Sequence, residues 1–277
     1  MNREISDKKI CDKEIPDPVI RRDLSEDLVL LELNRPDRCN CFSSNMLDLF
    51  LKDLEDLKKE EKVRVVLIRG KGKAFCSGMD LKEAMEMEKD GSAPKGFSMS
   101  KKVHKVLAGI CQLPQIVIAA ANGPAFGGGG GLVSVCDYII ASSRFGIGFT
   151  ELKLGLDPTL LYPFLKRRIR RSDLASLLYF GSPINANRAK EIGLIQEIVP
   201  EDDLEDRMME VARQVLEKEP GALRFAKRLI GTDLLPDGNE LEDAWKRHCD
   251  SWITPAAQEG IQAFLEKRVP HWDQGSF

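Results

Sequence analysis

The sequence has little of several features that would define a function class. Its 277 residues include three histidines, and none of the seven cysteines belongs to a C-x-x-C pair. A zinc site is therefore not expected, and the cysteines are expected to be free, buried thiols in a reducing cytoplasm. The formal net charge is −3, with 41 basic and 44 acidic residues, so no excess of positive charge favours a nucleic-acid partner.

Long apolar runs are also missing. No run approaches the roughly 20 residues that span a bilayer. The charged opening residues lack the apolar core of a signal peptide, and their acids are unlike an organelle transit peptide. We therefore expect a cytoplasmic protein with no membrane partner and no metal.

The composition is that of a globular protein, with 43% hydrophobic and 31% charged residues. Short apolar runs predict strands at 28–33, 63–68, 115–120 and 138–141, interleaved with helical patterns. Beyond Thr159 the pattern is almost entirely helical. This order favours parallel β–α units followed by helices.

Three regions are expected along the chain. They are a flexible N-terminal arm at 1–21, a core at 22–202 and a C-terminal helical region at 203–277. The helices of the last region are amphipathic and contain Trp245, Trp252 and Trp272. Their apolar stripes require a partner face.

Two segments could offer free backbone amides to a negatively charged group. In residues 73–83 a strand enters a turn at Gly78 and a helix begins near Asp80, a junction where N–H groups point into space. In the second segment, the five glycines Gly127–Gly131 follow a buried strand, and close backbone approach would offset their cost in helix stability. The alternatives are an ordinary turn with Asp80 as the N-cap, and tight internal packing of the glycines.

Glu151 is the candidate acid–base residue. It lies in a mainly apolar stretch beside Phe149 and Leu154, and burial there would raise the pKa of its carboxyl group. A raised pKa suits a general acid or base. The alternative is a surface glutamate paired with Lys153.

Seven short motifs follow one another along nearly the whole chain. They are N-R-P at Asn34–Pro36, N-C-F-S at Asn40–Ser43, F-C-S-G-M-D-L-K-E at Phe75–Glu83, N-G-P-A-F-G-G-G at Asn122–Gly129, C-D-Y-I-I-A-S at Cys136–Ser142, A-K-E-I-G-L-I-Q-E-I-V-P at Ala189–Pro200 and F-L-E-K-R at Phe264–Arg268. In this order and spacing, the chain resembles the crotonase superfamily of enoyl-CoA hydratases and isomerases.

This resemblance implies a fold, a ligand and an assembly. The fold would be α/β, with a crotonase-like β-β-α spiral core and a C-terminal helical region that forms a homotrimer or homohexamer. The substrate would be an acyl-CoA thioester, so coenzyme A is part of the substrate and no separate cofactor is implied. The backbone amides of Met79 and Gly128 would form an oxyanion hole that stabilises an enolate of the thioester.

The resemblance also implies where coenzyme A binds. The residues expected to contact it are Asp37, Arg38, Cys39, Asp80 and Leu81. Two more, Phe264 and Lys267, are matched by their F-x-x-K spacing and would come from a neighbouring subunit.

One departure from the family pattern bears on the reaction. Hydratases of the superfamily carry two glutamates, whereas this chain has Gly131 at the first position and Glu151 at the second. Moving a double bond needs one base that removes a proton and returns it at another carbon, so a lone Glu151 fits isomerisation better than hydration. The string I-G-F-T-E-L-K-L-G at Ile147–Gly155 also resembles the Δ3-Δ2-enoyl-CoA isomerase branch.

A second departure lies in the segment that follows. Hydratases usually continue with P-G-A-G-G-T, whereas the bulkier Leu160–Tyr162 of this chain either reshape the acyl pocket or repack without effect. Asp157 is either a polar group near the site or a plain turn aspartate. The cations of Lys166–Arg171 either reach the phosphates of coenzyme A or form a solvated helix end.

Three functions stay open at this point. The leading one is a double-bond isomerase with Glu151 as its single base. The second is a hydratase or another crotonase reaction, such as decarboxylation or thioester hydrolysis, in which a side chain outside the motifs replaces the missing carboxylate. The third is a non-catalytic acyl-CoA-binding protein, which Gly131 allows and Glu151 argues against. The acyl chain and the pathway are not revealed.

Overall fold

The computed structural model describes residues 17–87 and 96–272. The strands are β1 (Val19–Ser25), β2 (Leu28–Leu33), β3 (Val65–Gly70), β4 (Ile116–Ala121), β5 (Ala125–Phe126), β6 (Tyr138–Ser142), β7 (Gly146–Gly148), β8 (Ile184–Asn185) and β9 (Glu197–Val199). The helices are α1 (Ser44–Leu57), α2 (Leu81–Glu86), α3 (Phe97–Gln112), α4 (Gly128–Ser134), α5 (Tyr162–Arg168), α6 (Arg171–Phe180), α7 (Ala186–Glu191), α8 (Leu204–Leu216), α9 (Pro220–Leu234), α10 (Gly238–Trp252) and α11 (Pro255–Glu266).

Six strands form the main sheet, in the order β1-β2-β3-β4-β6-β9. β1 is antiparallel to β2, and every other neighbouring pair is parallel. The central strands are almost entirely buried, as expected of parallel strands covered by helices on both faces. A smaller sheet, β5-β7-β8, carries the chain past the glycine run and towards Glu151.

Helices cover both faces of the main sheet. One face packs against α1 and α3 in the larger apolar core. On the other face, Leu30 and Leu67 pack in a second core with Met208 and Val211 of α8. The boundary expected between residues 202 and 203 therefore separates the sheet from a helix that covers it, and the division into regions stays a prediction.

The strands expected at 28–33, 63–68, 115–120 and 138–141 are present, with bounds that agree within two residues. The strand expected to enter the turn at Gly78 is wrong, because that segment forms only isolated bridges at Cys76 and Met79. The structure also adds other strands. β1 begins at Val19, inside the expected arm at 1–21; residues 1–16 of that arm lie outside the described residues. β1 was missed because only Val19 is fully buried and four of the other six residues are polar or charged. β8 and β9 lie where only helices were expected, and they are too short to show a strand periodicity.

The tryptophans expected to need a partner face are mostly covered within the chain. Trp252 is 1% exposed, and Trp245 stacks on Phe97 with ring centroids 4.8 Å apart. Trp272 is 43% exposed. Other large apolar side chains are exposed on α6 and α9: Tyr179, Phe180, Phe225, Leu229 and Ile230. The six cysteines in the described part of the chain are free thiols, as expected, but their expected burial is wrong for two of them: Cys39 is exposed and Cys41 is half-buried.

Candidate active site

A cavity of about 960 Å³ opens beside the start of α4. Its interior is buried and mainly apolar, and the residues of this wall are Val103, Leu156, Leu160, Leu161 and Trp252. Its mouth is exposed and carries charge from Asp37, Arg38, Lys82 and Lys267. The cavity is lined by all ten residues expected from the sequence: Glu151, Met79, Gly128, Asp37, Arg38, Cys39, Asp80, Leu81, Phe264 and Lys267.

The turn at Gly78 packs against the start of α4. Gly78 has a φ of 89°, and a Cβ there would lie 2.8 Å from the Phe126 carbonyl oxygen and 3.3 Å from the Gly128 nitrogen. Only glycine fits this turn without strain. Phe42 flanks the turn, because its N–H donates to the Gly78 carbonyl and its own carbonyl accepts from the Asp80 N–H. The Met79 N–H, in between, donates no hydrogen bond within the described residues.

The glycine run allows two stretches of backbone to touch. A Cβ at Gly129 would lie 2.1 Å from the Cys76 carbonyl oxygen, so any larger residue would push the two segments apart. Tight packing, the alternative noted from the sequence, is therefore present, and it brings Gly128 beside the turn at Met79. The Gly128 N–H begins α4 and donates no hydrogen bond to any residue the structure describes. Two amides without an acceptor thus lie at the wall of one cavity.

Glu151 is half-buried at the start of a 3₁₀ helix, Glu151–Leu154, and its Oε2 atom is completely buried. Oε2 has no hydrogen-bond partner, and Oε1 lies 3.2 Å from where a Cβ at Gly127 would be. Burial raises the pKa of Glu151 to about 7, against a smaller opposing effect of its own backbone N–H. In the described ranges Glu151 forms no ion pair with Lys153, so the surface-pair alternative is wrong.

Gly131 does not itself line the cavity, because Leu161, which does, covers it; this face of the cavity, the wall at Gly131, has no carboxylate. A Cβ added at Gly131 would lie 2.7 Å from Leu161 Cδ2 and 3.3 Å from Leu107 Cδ1. Both leucines are buried. A glutamate at position 131 would therefore need Leu161 to move.

Asp80 is already engaged by its neighbours in the structure. Its carboxylate caps α2 by accepting from the Glu83 N–H at 3.3 Å and forms an ion pair with Arg35 at 3.2 Å. Burial alone would raise its pKa, but these hydrogen bonds hold the pKa of Asp80 below its usual range. The N-cap alternative is correct, and Asp80 still lines the cavity.

The expected contribution of Phe264 and Lys267 from a neighbouring subunit stays a prediction; in the structure both residues line the cavity of their own chain. The reason is that α11 packs on the 3₁₀ helix of Glu151. A Cβ at Gly155 would lie 2.6 Å from the Ala256 carbonyl carbon, and one at Gly260 would lie 2.4 Å from the carbonyl oxygen of the last residue of that 3₁₀ helix. These backbone contacts join α11 to the segment that begins at Glu151.

The basic cluster at Lys166–Arg171 does not line the cavity. Lys166 and Arg167 form ion pairs with Glu240, and Arg168 donates to a backbone carbonyl at 2.7 Å. These pairings join α5 to its neighbours, so the helix-end alternative describes the cluster better than phosphate binding.

The other bulky residues divide between the cavity and the surface. Leu160 and Leu161 line the cavity, as expected for residues that reshape an acyl pocket. Tyr162 is 45% exposed and lies outside it. The exposed Asp157 offers its backbone carbonyl, which contacts His248.

Sequence reasoning missed His248 and Trp252, which both line the cavity. The Trp252 indole N–H donates to His248 Nε2 at 3.2 Å, and His248 Nδ1 lies 2.9 Å from the Asp157 carbonyl oxygen. The two residues lie one helical turn apart on α10, which indicates a shared face. No local pattern shows that this face meets the cavity, because the contact joins distant parts of the chain.

Two kinds of feature are absent from the part of the chain that the structure describes. It contains no helix with the length and hydropathy to cross a membrane. It also contains no group of three or more histidine, cysteine, aspartate or glutamate residues placed to hold a metal ion. The cytoplasmic location and the lack of a separate cofactor stay predictions.

Comparison with known proteins relates the fold to a family. A family model described as enoyl-CoA hydratase/isomerase matches residues 23–275. The chain is 32% identical to the 1,2-epoxyphenylacetyl-CoA isomerase of Escherichia coli, over 88% of this chain and 94% of that protein. It is also 32% identical to the mitochondrial methylglutaconyl-CoA hydratase of Mus musculus, over 88% of this chain and 79% of that protein. The crystal structure of an enoyl-CoA hydratase from Bacillus anthracis is 34% identical, with a TM-score of 0.72 over 91% of this chain and 98% of that one.

Proposed function

The chain belongs to the enoyl-CoA hydratase/isomerase family of acyl-CoA enzymes, and on that basis we propose that it shifts the double bond of an enoyl-CoA with Glu151 as its only acid–base group. One observation carries this proposal. The buried, unpartnered carboxylate oxygen of Glu151 faces no second carboxylate at position 131, where leucines fill the space. Among the carboxylates that line the cavity in the described residues, Glu151 is therefore the one whose oxygen is buried and without a partner.

Binding follows from the contrast between mouth and interior. The exposed cations Arg38, Lys82 and Lys267 suit the phosphates of coenzyme A, and Phe264 offers an exposed aromatic face to the adenine. The apolar interior suits the acyl chain. The thioester would then lie between these regions, where Met79 and Gly128 have free amides.

The proposed reaction starts from a 3-enoyl-CoA. The Glu151 carboxylate takes a proton from carbon 2, and the electron pair moves through the thioester carbonyl to give a dienolate. The oxygen of the dienolate accepts hydrogen bonds from the Met79 and Gly128 amides. In other enzymes, one such donor lowers the barrier by about 3 kcal/mol. Glu151 then returns the proton to carbon 4, which leaves the double bond between carbons 2 and 3.

The state of Glu151 fits a group that must both accept and return a proton. A pKa of about 7 leaves a substantial ionised fraction at neutral pH and also makes the protonated form accessible. This property argues against a silent acyl-CoA-binding protein, because such a protein has no use for a buried acid without a partner.

Hydration is the competing reaction, and it needs a second polar group beside the attacking water. Two polar residues that line the cavity are already engaged. Asp80 pairs with Arg35, and both nitrogens of His248 are in hydrogen bonds. These contacts favour isomerisation over hydration, decarboxylation and thioester hydrolysis.

We also propose a homotrimer or homohexamer, in keeping with the resemblance. The exposed Phe225, Leu229 and Ile230 form an apolar face on α9 that an assembly would cover. Light scattering at micromolar concentration tests this, and a monomer would contradict it.

The test of the reaction is a pair of incubations followed by chromatography and mass spectrometry. With a 3-enoyl-CoA we expect the 2-enoyl isomer, identified by retention time at unchanged mass. With a 2-enoyl-CoA we expect no gain of the mass of water. Hydration without isomerisation would overturn the proposal, and intact substrates over a series of acyl groups would favour the silent binding protein.

A further inference from the structure

Trp252 is the largest side chain on the cavity wall, and it is fixed on several sides. It is 1% exposed, its indole N–H donates to His248, and its carbonyl oxygen accepts from the Gln258 side chain at 2.6 Å. Gly96, at the start of α3, lies so close that a Cβ there would be 2.5 Å from the indole ring. The ring therefore cannot rotate away without a shift of the backbone around it.

His248 connects this tryptophan to the backbone of Asp157. Its Nε2 accepts from Trp252, so the ring proton is on Nδ1, which donates to the Asp157 carbonyl at 2.9 Å. Asp157 directly precedes the 3₁₀ helix Pro158–Leu160, whose residues line the cavity. Burial lowers the pKa of His248 and keeps the ring neutral, as this pair of hydrogen bonds requires.

We infer that Trp252 forms the closed end of the acyl pocket and limits the length of the acyl chain, and that His248 is the positioning residue that holds it there. The inference rests on the proposed binding of acyl-CoA. It goes beyond that proposal by naming the substrate class as acyl groups short enough to stop at an indole ring. The pocket tolerates no extension here, because the Gly96 backbone packs against the ring and His248 accepts from its N–H.

The test measures affinity and so does not depend on turnover. Butanoyl-, octanoyl- and dodecanoyl-CoA are titrated calorimetrically into the wild type and into Trp252→Leu. Because each buried methylene raises affinity about fourfold, the variant is expected to bind dodecanoyl-CoA at least about tenfold more tightly, relative to butanoyl-CoA, than the wild type does. The matched control is Trp245→Leu, which removes a tryptophan from the same helix but outside the cavity wall, and its length profile is expected to equal that of the wild type.

Two further variants keep the test decisive if Trp252→Leu does not fold. Trp252→Phe keeps a ring and is expected to shift the length profile in the same direction by a smaller factor. His248→Leu leaves Trp252 in place but removes its anchor, and we expect it to raise the relative affinity for dodecanoyl-CoA, which a purely structural role would not do. Circular dichroism and thermal melting identify the folded variants.

The outcomes separate this inference from the proposed function. If the length profile shifts as expected but no isomerisation is found, the inference stands and the proposed reaction fails. If isomerisation is found but folded Trp252 and His248 variants keep the wild-type profile, the inference is overturned. Failure of every acyl-CoA to bind would overturn both.

Discussion

The wall of the cavity that carries the half-buried Glu151 and the wall at Gly131, where Leu161 covers the glycine, offer different chemistry. At Glu151 a carboxylate oxygen is enclosed without a partner, and its pKa is raised to about 7. At Gly131 the side chains of Leu161 and Leu107 fill the space where a second carboxylate would stand. A change from two carboxylates to one is therefore accompanied by apolar packing, so the second wall is a closed surface and not an empty position.

This difference suggests how one fold serves more than one reaction. The amides at Met79 and Gly128 depend on backbone packing and would stabilise an enolate in either case. The acid–base groups depend on side chains, and these can change without disturbing that packing. The reaction is then decided by which wall holds a carboxylate.

Removal of the Glu151 carboxylate should have the largest effect. Glu151→Gln is nearly isosteric but cannot accept a proton, so we expect isomerisation to fall by about 10³-fold or more while acyl-CoA binding persists. The measurement is initial rate with 3-enoyl-CoA, beside calorimetric binding. The matched control is Glu217→Gln at an exposed glutamate, which should retain full activity. Unimpaired turnover by folded Glu151→Gln would show that the base lies elsewhere.

The same substitution should stabilise the protein in alkaline solution. Because the folded-state pKa of Glu151, about 7, lies above the ordinary value of 4.5, stability falls as pH rises between these values. Above pH 7 the charged, buried group costs up to about 3 kcal/mol, which Gln avoids. Urea unfolding should thus show Glu151→Gln more stable than wild type at pH 8, with the difference vanishing near pH 4.5. Equal stability at pH 8 would mean that solvent reaches the carboxylate.

The pH dependence of the isomerase activity tests the same pKa of Glu151. A base must be ionised to act, so kcat/KM for 3-enoyl-CoA should rise about tenfold per pH unit below pH 7 and level off above it. Between pH 5 and pH 8 the expected change is about 100-fold. A profile that levels off near pH 4.5 would indicate a solvated carboxylate and a different origin of the proton transfer.

Much of the difference between the wall at Glu151 and the wall at Gly131 could be predicted from the sequence, because it depends on residues that are neighbours along the chain. The apolar residues beside Glu151 predict its burial, and the glycine run predicts close backbone approach. By contrast, the contact of Leu161 with Gly131 and the position of Trp252 on the cavity wall bring distant segments together, and no local sequence periodicity predicts them. β1 could not be predicted for a related reason. It is an edge strand with mostly polar side chains, and only its pairing with β2 in the folded chain identifies it.

Substitution of a cation at the mouth of the cavity should have a modest effect on acyl-CoA binding and should leave both walls unchanged. Lys267→Ala should weaken acyl-CoA binding about fivefold at low salt, because an exposed cation interacts weakly with a phosphate. The loss should shrink as salt is raised. Lys246→Ala, an exposed lysine paired with Glu242, is the control and should bind as the wild type does. A salt-independent loss at Lys267 would point to a packing role instead.

The smallest expected effect is a gain of function. Gly131→Glu alone should impair folding or activity, because its side chain collides with Leu161. The double variant Gly131→Glu/Leu161→Ala removes that collision. It should convert a small fraction of 2-enoyl-CoA to the hydrated product, detected by its mass. If the single variant melts and isomerises like the wild type, the wall at Gly131 is not closed as described.

The backbone contacts at Gly155 and Gly260 have a mechanical consequence. They join α11, whose end presents Phe264 and Lys267, to the segment that begins at Glu151. Binding of the nucleotide part of coenzyme A would therefore also hold Glu151 in position, and part of the binding energy would increase the reaction rate. A substrate trimmed to its pantetheine thioester should accordingly lose kcat as well as affinity, although every reacting atom is retained. Contacts with the nucleotide, far from the reacting atoms, would thus affect the rate of the proton transfer.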